Sequence, residues 1–271
     1  MGLRINTNVS ALNAARVLRR STLDLNKTLE QLSSGLRINR AADDAAGLAI
    51  AENFRAQVRG TQVAQRNVQD GISLVQTAEG ALSETTNILQ RIRELAVQAA
   101  NGTQSDTNRA AIQTEVDQLV SQIDKIATDT EFNGIKVLTG AQSVVMQAGY
   151  LQGQTLSLTI SGATAAILSV NNLAVSSRAL AESAITLVDN ALKSVNTLRA
   201  TLGAYQNRME FTINTLAIQQ ENSAASESAI RDADIAQVTI RFTRNQILVN
   251  AGTSVLAQAN VVPQTALQLL R

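Results

Sequence analysis

The sequence predicts a mainly α protein. Long antiparallel coiled-coil-like helical rods are formed by the N- and C-terminal segments, with a small β-hairpin patch in the middle. Three observations predict this. Apolar residues recur every seven positions in four stretches, two toward each end. A single proline, Pro263, occurs in 271 residues, so the strongest helix breaker is almost absent. Glycines punctuate short apolar runs between about residues 132 and 175, where the seven-residue period gives way to alternation.

In the first helix, Leu18, Leu25 and Leu32 form one row, with Leu29 and Leu36 beside it. Leu32-Ser-Ser-Gly35 closes that helix with a glycine suited to a left-handed cap. The second stretch, about residues 72–100, aligns Val75, Leu82, Leu89 and Ala96, accompanied by Ala78, Ile92 and Ala99. It spans roughly 45 Å at the helical rise. Asn101-Gly102 breaks it, and Asp106 or Thr107 is placed to cap a shorter helix running to about Asp129. Asn133-Gly134 signals a turn before strand-like Ile135 and Val137. Leu156, Leu158 and Ile160 alternate with Ser157 and Thr159, as a half-buried strand does. The third row is Val188, Val195, Leu202, Met209 and Leu216; the fourth is Ile235, Phe242, Val249 and Leu256. The expected domains are therefore residues 1–40 plus 232–271, a terminal helical domain, and residues 41–231, a central rod with hairpins at about 132–175.

Composition narrows the function. Net charge is +1, from 23 Lys+Arg against 22 Asp+Glu, and aromatics make up 2%. The sequence thus has neither the basic face nor the stacking platforms of a nucleic-acid binder. With no His and no Cys, imidazole and thiolate metal sites and Ser-His or Cys-His nucleophiles are excluded. No cofactor is expected. Asp43 and Asp44 are adjacent and point in different directions, so they do not converge on a proton or a metal. Gly134 and Gly140 lack phosphate-loop spacing. No run is apolar enough to insert in a membrane, and the first residues lack a signal core. The expected localisation is cytoplasm, or export without a cleaved signal.

Several runs resemble the bacterial flagellins. On the N-terminal side these are Ile5-Asn-Thr-Asn8, Leu32 to Asn39 (LSSGLRIN), Asp43 to Ile50 (DDAAGLAI), Asn67 to Ala81 (NVQDGISLVQTAEGA), Leu89 to Gln98 (LQRIRELAVQ) and Thr130 to Gly134 (TEFNG). On the C-terminal side are Leu202 to Arg208 (LGAYQNR), Arg231-Asp-Ala-Asp234, Thr243 to Leu248 (TRNQIL), Leu256 to Asn260 (LAQAN) and the ending Leu269-Leu-Arg271. The resemblance covers about residues 3–140 and 179–271. Val238, Arg241 and Phe242 depart from the usual pattern, and the middle is short and unmatched, as in a minimal flagellin. A hook–filament junction protein shares the terminal pattern, but length and the full C-terminal run favour flagellin. A generic coiled-coil scaffold does not require the run Asp43–Ile50.

The resemblance implies a structural subunit of a helical filament for swimming motility, not an enzyme. It implies export as an unfolded chain to an extracellular flagellum, and folding on polymerisation, with residues 1–40 and 232–271 in the inner core. Implied partners are further copies of itself, an export chaperone, hook-associated junction and cap proteins, and Toll-like receptor 5. The residues expected to carry polymerisation are Leu12, Leu18, Leu25, Leu29, Leu32, Ile235, Phe242, Val249, Leu256, Leu267 and Leu270. Arg91, Leu95 and Glu115 match the family's receptor epitope. Physically, a terminal helix such as 12–34 exposes an apolar stripe when alone and must pair with 235–258 or with neighbouring subunits. Gly47 is read as a position needing unusual backbone freedom.

Overall fold

The computed structural model describes residues 7–268, with side-chain surroundings through Val261. It is mainly α, with small antiparallel hairpins in the middle of the chain. Two compact units are formed, one by Met1–Ala56 with Asn222–Arg271, the other by Gln57–Glu221.

In the first unit, α1 (Val9–Ser34) starts at Asn8, whose side chain accepts the Ala11 N–H and donates to the Ala259 carbonyl. It stops at Gly35, which has φ 71° and donates to the Gln31 carbonyl, the left-handed cap expected there. The chain then bridges Leu36 to Asp232, with Arg37 N–H donating to the Arg231 carbonyl and Ala233 N–H to that of Gly35. Asp234 caps α5 (Ile235–Gln268) by accepting from Ala236 and Gln237. Leu18 lies against Gly252. Asn8 to Ala259, Leu18 to Gly252 and Leu36 to Asp232 thus define one antiparallel register for α1 and α5.

The second unit holds the main apolar core. Its helical parts come from α2 (Ala45–Ala100), α3 (Asp106–Asp129) and α4 (Arg178–Arg231). Val75, Leu82, Leu89 and Ala96 of α2 and Val188, Val195, Leu202, Met209 and Leu216 of α4 are all buried, so both seven-residue rows face inward. Helix α2 begins far earlier than the expected residue 72. Gly60 and Gly71, which weaken the helical signal, lie under the hairpin of residues 142–160 instead: a Cβ on Gly60 would meet Tyr150 in its turn, and one on Gly71 would meet Met146. Arg109, buried, donates to the carbonyls of Ala99 and Asn101, satisfying acceptors that the end of α2 leaves open. Ser105 caps α3 by accepting from Asn108, one residue before the cap expected from the sequence.

Strands β1 (Glu131–Phe132) and β2 (Ile135–Lys136) pair through Asn133 and Gly134, both at positive φ as a tight hairpin turn requires. Val137, expected in a strand, is buried just beyond β2. Strands β3 (Gln142–Gln147) and β4 (Thr155–Ile160) pair antiparallel, and the alternating Leu156, Leu158 and Ile160 face the core. The segment after β4 is tied to α3: Asp124 accepts from Ala165, and Gln113 donates to Leu173 and accepts from Val175.

Gly47 corrects its sequence reading. It is helical and not at positive φ. A Cβ there would sit 2.4 Å from Asp44 Oδ2 and 2.9 Å from Ile38 Cδ1, so the position needs space rather than backbone freedom.

Truncating Leu82, fully buried, is expected to cost about 2–5 kcal/mol of unfolding free energy. Leu29→Ala, at an exposed site on α1, should cost less than about 1 kcal/mol in the monomer. Urea denaturation followed by circular dichroism tests the pair; equal losses would contradict this division.

Candidate assembly and recognition surfaces

The seam between α1 and α5 is unusual in what fills it. On α1 the covered positions include Ala11, Ala14, Leu18, Ser21, Leu25 and Thr28, spaced alternately by three and four residues, and then Gln31. On α5 they are Val238, Phe242, Asn245, Val249, Gly252, Leu256 and Ala259, with the same spacing. That is coiled-coil spacing, yet Ser21, Thr28, Gln31, Asn245 and Gly252 bring little apolar area. Thr28 spends its hydroxyl on carbonyls of its own helix, and Gln31 donates to the Arg37 carbonyl, so neither bonds across the seam.

Other large aliphatics point away from the seam. Leu12 and Leu23 are each 64% exposed on the outer face of α1. Ile240 (62%), Ile247 (61%), Leu248 and Val255 form an outer stripe on α5. Thr239, Ile240, Thr243, Arg244, Ile247 and Leu248 line an apolar groove of about 500 Å³ there. Of the residues expected to carry polymerisation, Leu18, Leu25, Phe242, Val249 and Leu256 are half-buried in the seam. Leu12, Leu29, Leu32 and Ile235 are exposed. The side chain of Leu267, and Leu270 entirely, lie outside the described residues. Sequence reasoning missed Ile240, Ile247, Leu248 and Val255, which are off the seven-residue row; their own i, i+7 repeat was the available signal.

The connection between α1 and α2 is held by charge. Asp43 accepts the Lys27 ammonium at 2.7 Å and the N–H groups of Asn39 and Arg40. The hydrogen bond from Lys27 holds its carboxyl below the ordinary 3.8, burial opposes this, and the backbone N–H groups assist. Asp44 accepts from Gly47 instead. The two carboxylates thus serve different backbone groups. Among the described residues no group of three or more His, Cys, Asp or Glu could hold a metal.

On the second unit, Arg91 donates to Glu115 at 2.9 Å and to Glu94 at 3.3 Å; Glu115 first, then Glu94, hold its guanidinium even more firmly protonated than usual. Leu95 does not share that surface: it is 2% exposed and packs into the core. A surface formed here consists of Arg91, Glu94 and Glu115, with Leu95 beneath.

Comparison with known proteins gives the family. The bacterial flagellin N-terminal helical region matches residues 5–143 and the C-terminal helical region matches residues 185–270. Flagellin of Bacillus subtilis is 47% identical over 99% of this chain and 100% of its own length. The flagellar filament 31.3 kDa core protein of Treponema maltophilum is 45% identical over 98% of this chain and 99% of its own. The crystal structure of Bacillus cereus flagellin is similar with a TM-score of 0.51 and 36% identity, covering 56% of this chain and 88% of that one. The chain belongs to the bacterial flagellin family and is a structural protein of the flagellar filament, not an enzyme.

Because Asp43 is more acidic folded than unfolded, its stabilisation is complete above 3.8 and is lost as pH falls below that value. Asp43→Asn should therefore melt below the wild type at neutral pH, and the gap should close in acid below 3.8. Thermal melts across that range decide it; a gap independent of pH would overturn the assignment.

Proposed function

We propose that this chain leaves the cell unfolded and completes its fold only as it joins the growing filament. The observation that carries this reading is the dressing of α1 and α5: small and polar residues interrupt the Leu, Val and Phe of the seam, while further large aliphatics lie exposed outside it. Two helices joined by such a seam gain little by pairing, and isolated helices are only marginally stable in water. Covering an exposed Leu or Ile contributes on the order of 1 kcal/mol, so further copies supply what the pair lacks. This is folding coupled to binding, which suits a chain exported in the unfolded state.

In this reading residues 1–40 plus 232–271 form the filament's inner core, and 41–231 the central domain. Leu18, Leu25, Phe242, Val249 and Leu256 join the helices within a subunit. Leu12, Leu29, Leu32 and Ile235, with Ile240, Ile247 and Leu248, meet other subunits, and Leu267 and Leu270 extend the apolar end. Contacts between unlike faces do not close on themselves, so the product is a helix rather than a ring. An export chaperone would take the apolar C-terminal segment as a helix in a groove and delay assembly. Hook-associated junction and cap proteins would meet the filament at its two ends.

The Arg91–Glu115 face is the place for Toll-like receptor 5 in the monomer. It is a compact charged patch on a rigid pair of helices, with Leu95 fixing the α2 backbone from within. Polymerisation would cover it.

Purified monomer warmed in high-sulfate buffer should form filaments visible by electron microscopy; rings or persistent monomers would overturn the assembly reading. Removing residues 235–271 should abolish growth while leaving a soluble, folded 57–221 unit, and filaments from the truncated chain would show the interface to be elsewhere. Arg91→Ala should weaken receptor signalling by monomer at least about tenfold. Unchanged signalling in a reporter-cell assay would remove the receptor from the partners.

A further inference from the structure

Helix α5 carries two charged side chains, Arg241 and Arg244, one turn apart, and both line the same polar cleft of about 540 Å³. Neither makes an ion pair among the described residues. The facing wall is acidic. Asp24 of α1 lines it, with Asp43 and Asp44 of the connector of residues 35–44 between α1 and α2. Against them stands one lysine, Lys27, which Asp43 already holds. Arg37, the remaining cation of the cleft, donates to the Ile230 carbonyl. Asp44 accepts from the Gly47 N–H through Oδ1, and Asp24 contributes its backbone carbonyl to Thr28. Two carboxylates without a cation thus face two guanidiniums without an anion.

The register of the two helices matches them. Asn8 lies against Ala259, Leu18 against Gly252 and Leu36 against Asp232, so paired positions add to 267–270 and Asp24 falls level with residues 243–246. Arg244 also lines the apolar groove with Ile240, Ile247 and Leu248. It therefore stands on the border between the cleft and the outer aliphatic stripe. When another copy covers that stripe, water leaves Arg244 as well. A guanidinium taken out of water without a carboxylate is strongly unfavourable. In water, by contrast, an exposed ion pair gains little over the entropy of two long side chains. The cleft is open in the separate chain for the same reason that it closes in a water-poor one.

We propose that the cleft is a charge clasp: Arg244 turns onto Asp24 and Arg241 onto Asp44 of the same chain when water is excluded from the outer face of α5. This rests on the filament reading above. Closure needs only rotation of exposed side chains, because the Leu36–Asp232 bridge at one end and the Leu18–Gly252 contact at the other fix the helices. Asp43 stays with Lys27 throughout. The partners come from within the chain because Asp24 and Asp44 already line the cleft and α5 itself carries no acid. The arginines thus repel other copies while they are hydrated. Once covered, they are neutralised by their own chain.

Full-length Asp24→Asn and Arg244→Gln chains, both changed at exposed positions, are compared with the double variant for filament growth, with circular dichroism confirming the fold. Asp24→Asn should raise the critical concentration about tenfold, because it leaves Arg244 without an anion. Adding Arg244→Gln to it should recover most of that loss, which independent sites would not do. Asp44→Asn keeps the oxygen that accepts from Gly47 and should likewise be rescued by Arg241→Gln. Single variants that grow as wild type does would refute the clasp while the filament reading stands. Additive losses in a double variant would refute that pair. An equimolar mixture of the Asp24→Asn and Arg244→Gln chains should grow no better than the two grown apart; recovery in the mixture would place the pair between copies and overturn closure within one chain. If wild type itself forms no filaments, the filament reading falls and the clasp with it.

Discussion

The terminal unit depends on a seam too poor in apolar surface to be sufficient. Ser21, Thr28 and Gln31 are buried on the seam, yet Thr28 bonds carbonyls of its own helix and Gln31 the Arg37 carbonyl of the adjoining chain. Gly252 lies against Leu18, where a larger residue would need Leu18 to move: a Cβ would lie 3.1 Å from Leu18 Cδ1. Each compromise lets the helices lie together with little strain and little gain. A seam of Leu and Ile throughout would have made a more self-sufficient hairpin.

The second unit follows the opposite rule. Its rows on α2 and α4 are completely covered, α3 and the strands close over them, and polar segments are tied down by Arg109, Gln113 and Asp124. Glycines at 60 and 71 let the β3–β4 hairpin approach the helix closely. The chain thus divides its work. One part buries its own large side chains, and the other leaves many of its aliphatics exposed on the outer faces of its helices.

Much of this was legible in the sequence. The rows, the Gly35 cap, the Asn133-Gly134 turn and the alternation in β4 are local patterns whose physics needs no tertiary context. The family motifs, being numerous and in order, carried function beyond what periodicity could. What stayed hidden were matters of facing. All four rows have the same period, yet those of the second unit are sealed and the terminal ones are half-covered, because spacing does not reveal how large the opposing side chains are. Leu95 matched an epitope by residue type while its side chain faces inward. Gly47 resembled a hinge but is a helical position crowded by Asp44 and Ile38. Phe211 lies between Met209 and Leu216, both buried, so nothing in the string of letters marks it as outward.

The same distinction separates what stabilises a single copy from what stabilises an assembly of copies. Aliphatics placed in an internal seam stabilise the monomer and the polymer alike. Exposed on the outer faces of α1 and α5, they add nothing to the isolated chain and can stabilise only contacts with other molecules. Arginines stand among them. Arg19, Arg20, Arg241 and Arg244 make no ion pairs among the described residues, and α5 carries no acidic side chain at all. Like charges on these faces oppose their premature association in dilute solution. High salt both screens that repulsion and strengthens apolar burial, so sulfate acts on the two terms that hold the terminal helices apart and draws them together.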